Sequence, residues 1–133
     1  MTHEEALIRA FIVRRRRQRW LGLIGKPARK GSLRAHLAHC DGELDPRFAT
    51  RVDPRDQNAI SILQMILRIC DESQCYVISE NSAIDDRIME IRNALEATVG
   101  GGMGTFLSIR KGQLAYYEGE DSCERYICRR KRQ

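Results

Sequence analysis

The sequence predicts an α+β fold: three N-terminal helices, one strand, one more helix and three closing strands. Two patterns carry that class. Apolar residues recur at helical spacing through the first half and again over 83–99, whereas the last thirty residues break into short β-branched and aromatic runs divided by turn formers. A length of 133 residues suits one domain with a real core.

The first helix starts at Thr2, an N-cap residue, with Glu4 and Glu5 beside the positive end of its dipole. Leu7, Ile8, Phe11 and Ile12 form its apolar stripe. Carried on unbroken, this helix winds Arg14 to Arg17 once around the axis and turns Arg15 onto the apolar side. Arg15 is therefore the arginine expected to matter for stability. Trp20, Leu21, Leu23 and Ile24 resume the apolar signal, and Gly25-Lys26-Pro27 stops the helix. Ser32 caps a second helix over 33–40. The stretch 42–54 holds two prolines and reads as a loop. Asp53 caps a third helix over 55–70, with Pro54 at its first position. Apolar residues cover most of that helix's circumference, so it is expected to be buried on several sides.

Residues 75–79 (CYVIS) make an interior strand, and 83–99 a fourth helix with the stripe Ile84, Ile88, Ile91, Leu95 and Val99. GGGMG over 100–104 ends that helix. Strands follow at 105–110, 113–118 and 124–129, the first two joined by a tight Lys111-Gly112 turn. Strand 75–79, helix 83–99 and strand 105–110 read as a right-handed βαβ crossover. The whole is a small mixed or antiparallel four-stranded sheet covered by helices. The chain reads as a single domain over 1–133, with a basic helical part (1–52) and a core (53–133).

The net charge of +5 is unevenly spread. Residues 1–52 carry 12 Lys/Arg against 5 Asp/Glu, and residues 71–124 carry 4 against 11. Arg129 to Arg132 are basic again. No apolar run approaches the ~20 residues of a membrane span, and the acidic N-terminus lacks a signal-peptide core. A cytoplasmic location without a membrane partner is the expectation. Five cysteines, an odd number, fit reduced and mainly buried thiols.

Several clusters carry potential chemistry. Arg14, Arg16, Arg17, Arg19, Lys26, Arg29, Lys30 and Arg34 could form one surface that holds phosphates through paired guanidinium hydrogen bonds. Trp20 and Phe11 are too few for a stacking platform, and no RNA-recognition or zinc-finger signature is present. GGGMG follows a helix and precedes a strand, the reverse of a phosphate loop, so it reads as a C-cap and turn. His36, His39 and Cys40 have ligand spacing, but Cys70/Cys75 and Cys123/Cys128 are spaced C-x4-C and no metal is expected. Glu80, Asn81 and Ser82 follow the interior strand; together with Gly101, Gly102, Glu118 and Glu120 they form a ligand loop if the segments meet. Ser82 otherwise caps the fourth helix, with Asp85 and Asp86 in its first turn. Tyr116 and Tyr117 alternate on a strand, which leaves one of them outward as a contact residue.

The leading functional expectation is a non-enzymatic domain whose basic N-terminal helices engage nucleic acid, another polyanion or an acidic protein. No cofactor is implied. The alternatives are a small enzyme or ligand-binding domain at the 79–86 loop and the acidic 118–124 turn, or a homodimer built from the N-terminal apolar stripe and the sheet edge.

Overall fold

The computed structural model describes residues 1–24 and 30–130. Among them are five α-helices: α1 (His3–Phe11), α2 (Arg14–Ile24), α3 (Lys30–His36), α4 (Ala59–Ile69) and α5 (Ile91–Thr98). Six strands complete the fold: β1 (Ala49–Arg51), β2 (Gln74–Ser79), β3 (Arg87–Glu90), β4 (Thr105–Arg110), β5 (Leu114–Glu118) and β6 (Arg125–Arg129). They form one antiparallel sheet in the order β1-β6-β5-β4-β2-β3. The α+β class holds, but the sheet has six strands rather than four. The Gly25-Lys26-Pro27 stop lies outside the described residues.

Helix α1 begins as its sequence indicates: the Thr2 hydroxyl accepts the Glu5 N–H at 3.1 Å, and Glu5 pairs with Arg9 one turn on. It ends earlier than its apolar stripe suggests. Ile12 is extended (φ −89°, ψ 138°) and bridges Leu44. Val13 N–H donates to Glu43 O, and Asp45 N–H to Phe11 O. Two β-branched residues, Ile12 and Val13, leave the helix readily when a neighbouring segment offers backbone partners. The chain therefore restarts as α2 at Arg14, and Arg15 comes out exposed rather than on the apolar side.

Two regions depart further. The 42–54 loop contains edge strand β1, three residues paired to β6. The expected helix over 83–99 is strand β3 followed by the shorter α5. Asn81 receives the N–H groups of Ala83, Ile84 and Asp85 in a turn, and Asp86 takes a left-handed conformation (φ 61°) that reverses the chain into β3. That extra reversal makes β4 antiparallel to β2, so there is no parallel βαβ crossover. Asp53 does cap Pro54–Asp56, but only as a 3-10 turn; α4 starts at Ala59, capped by the Asn58 carbonyl on Ser61 N–H. The Lys111-Gly112 turn forms as read, with Gly112 at φ 70°.

Helices lie on both faces of the sheet. Ile78, Phe106, Ala115, Tyr117 and Cys128 pack with Leu7, Ile8, Phe11, Trp20, Leu33 and Leu37 of the N-terminal region. Val77, Leu107, Ile109, Leu114 and Tyr116 pack with Ile62, Ile66, Ile91, Ala94 and Leu95 of α4 and α5. Side chains of successive strand residues leave opposite faces, so a sheet covered on both sides buries both Tyr116 and Tyr117, each 0% exposed. Neither is an outward contact residue. The α1 stripe is likewise spent on the core. Each such aliphatic or aromatic side chain contributes about 1.5–3 kcal/mol by leaving water. All five cysteines are free; four are buried, and Cys123 is exposed.

Candidate functional site

The first turns of α2 are arginine. Arg14, Arg15, Arg16 and Arg19 are exposed, and no carboxylate among the described residues pairs with any of them. Arg15 and Arg19 are one turn apart, where like charges repel, and Arg14, Arg15 and Arg16 sit at the positive end of the helix dipole. Trp20 anchors the opposite side of α2: it is buried and its indole N–H donates to Glu43 Oε1 at 2.8 Å. Arg17 faces inward far enough for its Nε–H to donate to Ile12 O at 2.9 Å, covering a carbonyl left free by the end of α1.

The last described residues come to this same side. Arg130 donates to Ala10 O at 3.2 Å, and its guanidinium lies 4.1 Å from the Phe48 ring centre, with Arg47 against that ring at 5.0 Å. Arg130 is thereby held beside the last turn of α1. Arg15 also lines an open groove of about 350 Å³ with Val13, Leu44, Pro46, Ala49 and Tyr126. Lys26 and Arg29 lie outside the described residues, as does the side chain of Lys30.

Arg34 is elsewhere. It is 7% exposed and joins α1, α3 and the 80s loop by bonding Glu4 at 2.5 Å and Asp85 at 3.1 Å. Asp85 also accepts the Ser79 N–H, so the residue assigned by sequence to a helix turn locks a strand end instead.

The segments of the expected ligand loop do meet. Gly104 N–H donates to the Glu80 carboxylate at 2.7 Å, and Glu80 N–H to Gly104 O. Gly100 N–H donates to Glu118 Oε2 at 2.9 Å, and the Ser79 and Thr105 hydroxyls are 2.7 Å apart. Gly101 N–H donates to Thr98 O, and Gly102 (φ 71°) lies by the Glu120 backbone. Asn81 organises its own turn, while Ser82 is exposed and caps no helix. Glu118 is 1% exposed; burial holds its carboxyl above the ordinary value, against the Tyr116 hydroxyl donating at 2.7 Å and Arg125 at 3.3 Å. Both carboxylates are engaged by the glycine loop. Gly104 has no room for a side chain: a Cβ there would overlap the Leu37–Ala38 peptide.

A cluster that sequence reading missed adjoins this loop. His39 meets Glu124 at 3.1 Å, Glu120 at 3.3 Å and Asp121 at 4.0 Å. The hydrogen bond to Glu124 raises the imidazole above its ordinary value, with the other two carboxylates adding to it and burial opposing. His39, Asp121 and Glu124 present ligand atoms within 4.8 Å of one another, a set of the kind that could hold a divalent ion, with His39 and Glu124 already in contact with each other. Some eighty residues separate His39 from its partners, so no local spacing announces them. His36 bonds Glu43 at 2.9 Å and stands edge-on to Trp20, away from Cys40's zinc-type role; burial pushes the Cys40 thiol up to about 12, unlike a ligand thiolate.

In comparisons with known proteins, the chain matches no family model, no curated protein and no solved structure. No helix among the described residues is long and apolar enough to cross a membrane.

Proposed function

We propose that this is a non-enzymatic domain that binds a polyanion, nucleic acid in the first instance, through the arginine face of α2. One observation carries the reading: Arg14, Arg15, Arg16 and Arg19 are exposed and unpaired among the described residues, whereas Asp85, Asp71, Glu72, Glu118 and Glu124 of the acid-rich half meet Arg34, Arg110, Arg125 and His39. Three of these charges lie in the first turn of α2, at the unfavourable end of its dipole, and are tolerable when an anion sits there. Guanidinium groups suit phosphate oxygens, and each phosphate neutralised releases counterions. The cytoplasmic assignment belongs to the same proposal.

Fluorescence anisotropy with labelled RNA and DNA across a salt series tests it. Four phosphate contacts give a log–log slope of about −3.6 on duplex DNA, or roughly a hundredfold loss between 50 and 200 mM salt. Replacing the four exposed arginines with Gln abolishes binding and leaves the circular dichroism spectrum unchanged. No binding at low salt, or binding indifferent to these substitutions, removes the reading.

A further inference from the structure

The break between α1 and α2 leaves a groove beside the arginines. Because Ile12 turns out of the helix to bridge Leu44, the turn over 41–46 is held against the start of α2, with Val13 N–H donating to Glu43 O. The groove measures about 350 Å³, within the range of small-ligand sites of about 300–1,000 Å³. Val13 and Arg15 line it from the helices, Asp41 and Leu44 from the turn, Ala49 and Tyr126 from strands β1 and β6. Its charges are of both signs and do not meet. Arg15 is exposed, Asp41 is half-buried, and neither makes a salt bridge among the described residues. The Tyr126 hydroxyl donates to Asp41 Oδ2 at 3.3 Å, and no described group donates to Oδ1. A carboxylate drawn out of water in this way calls for N–H donors. Arg51 stands directly across from Tyr126 in the β1–β6 pair, so their side chains share a face, and it too is exposed without a carboxylate among the described residues.

We propose that this groove takes one unpaired base of a single-stranded nucleic acid, guanine above all, with the neighbouring phosphates on Arg15 and Arg51. This narrows the polyanion reading of α2, on which it rests. A bare polyphosphate or an acidic side chain is repelled by Asp41. A nucleotide instead brings phosphate acceptors for the arginines and base N–H donors for the carboxylate. Guanine carries its ring N–H and its amino group side by side, and the two oxygens of Asp41 can accept both. Uracil offers a single N–H between two carbonyls, which face a carboxylate unfavourably. Leu44, Ala49 and the Tyr126 ring supply the apolar and aromatic surface that a base leaving its stack requires. In a duplex the same base edge is occupied by the opposite strand, so only a single strand can use the groove.

Fluorescence anisotropy on the full chain tests the proposal, with labelled uridine hexamers carrying one central guanine, one central inosine or neither, and the matching duplexes alongside. The guanine strand should bind about fivefold or more tighter than the all-uridine strand, the lower end of what a paired base contact discriminates. Inosine, which lacks the amino group, should fall between them. The duplexes should show no dependence on that base. Asp41→Asn should bring the three single strands to one affinity with an unchanged circular dichroism spectrum. Arg51→Gln should reduce the log–log salt slope on the guanine strand by about 0.7, the share of one phosphate on a single strand. Affinities that ignore the base, a guanine preference that survives Asp41→Asn, or a salt slope unmoved by Arg51→Gln each overturns the groove and leaves the arginine face of α2 standing. No binding by any strand removes both readings together.

Discussion

Two arginines nineteen residues apart show how environment assigns a role to one side-chain type. Arg15 stands in solvent because the chain leaves helical geometry at Ile12; Arg34 stands in the interior between two carboxylates. Arg34→Gln removes the partner of Glu4 and Asp85 together and should cost about 3 kcal/mol, the scale for breaking a largely buried pair. Arg15→Gln should change stability by less than about 0.5 kcal/mol, as for an ordinary surface site. Chemical denaturation distinguishes them, and equal costs would mean α1 and α2 run as one helix after all. His39 adds a pH dependence of definite sign. Its folded value is raised, so the stability it brings is fully present below the unfolded value of about 6.5 and is lost as pH climbs through the folded one. The Tm gap between wild type and His39→Gln should therefore be widest near about pH 5.5 and close toward about pH 9. A gap that widens with rising pH contradicts the contact with Glu124.

At the scale of elements, what was legible in sequence is what local chemistry decides alone. Thr2 capping, the β4–β5 turn at Gly112, strand β2 and the strands after 104 follow from caps, turn formers and alternation. What misled was periodicity without context. Ile84, Ile88, Ile91, Leu95 and Val99 keep helical spacing, yet Ile88 is 68% exposed on edge strand β3, because the Asn81 turn and the pairing of Tyr76 with Ile88 outweigh a stripe. β1 is three residues long and exists by pairing with β6 from across the chain, which no local pattern encodes. The glycine loop was legible as a cap and as part of a ligand loop that needed its segments to meet, as they do. Its closeness to the Leu37–Ala38 peptide is a tertiary fact, and it yields a prediction. Gly104→Ala must push that peptide off β4 and should cost about 3 kcal/mol or more. Gly42→Ala, with open space around it, should cost far less; similar melting temperatures for the two variants would show that the approach is looser than described.

For the whole molecule, the acidic and basic halves of the sequence do not simply face one another. Several carboxylates of the acidic half are engaged singly, by Arg34, Arg110, Arg125, His39 and the N–H groups of the glycine loop. The arginines of α2 remain outside those pairs, repelling each other and the positive end of their own helix. Salt then has opposite effects on the two sets. Exposed charges are screened over a Debye length of about 10 Å at 0.1 M, whereas the buried pairs are screened much less. Raising salt from about 20 to 300 mM should lift the wild-type Tm by about 2 °C or more, since relief of roughly half a kcal/mol moves a domain of this size by that much. The variant with Gln at 14, 15, 16 and 19 should start higher at low salt and gain little. Scanning calorimetry on both proteins reads the difference directly. Parallel behaviour, with salt lowering both transitions, would place the arginines in ion pairs within the fold and leave α2 with no unmet charge to offer a phosphate backbone.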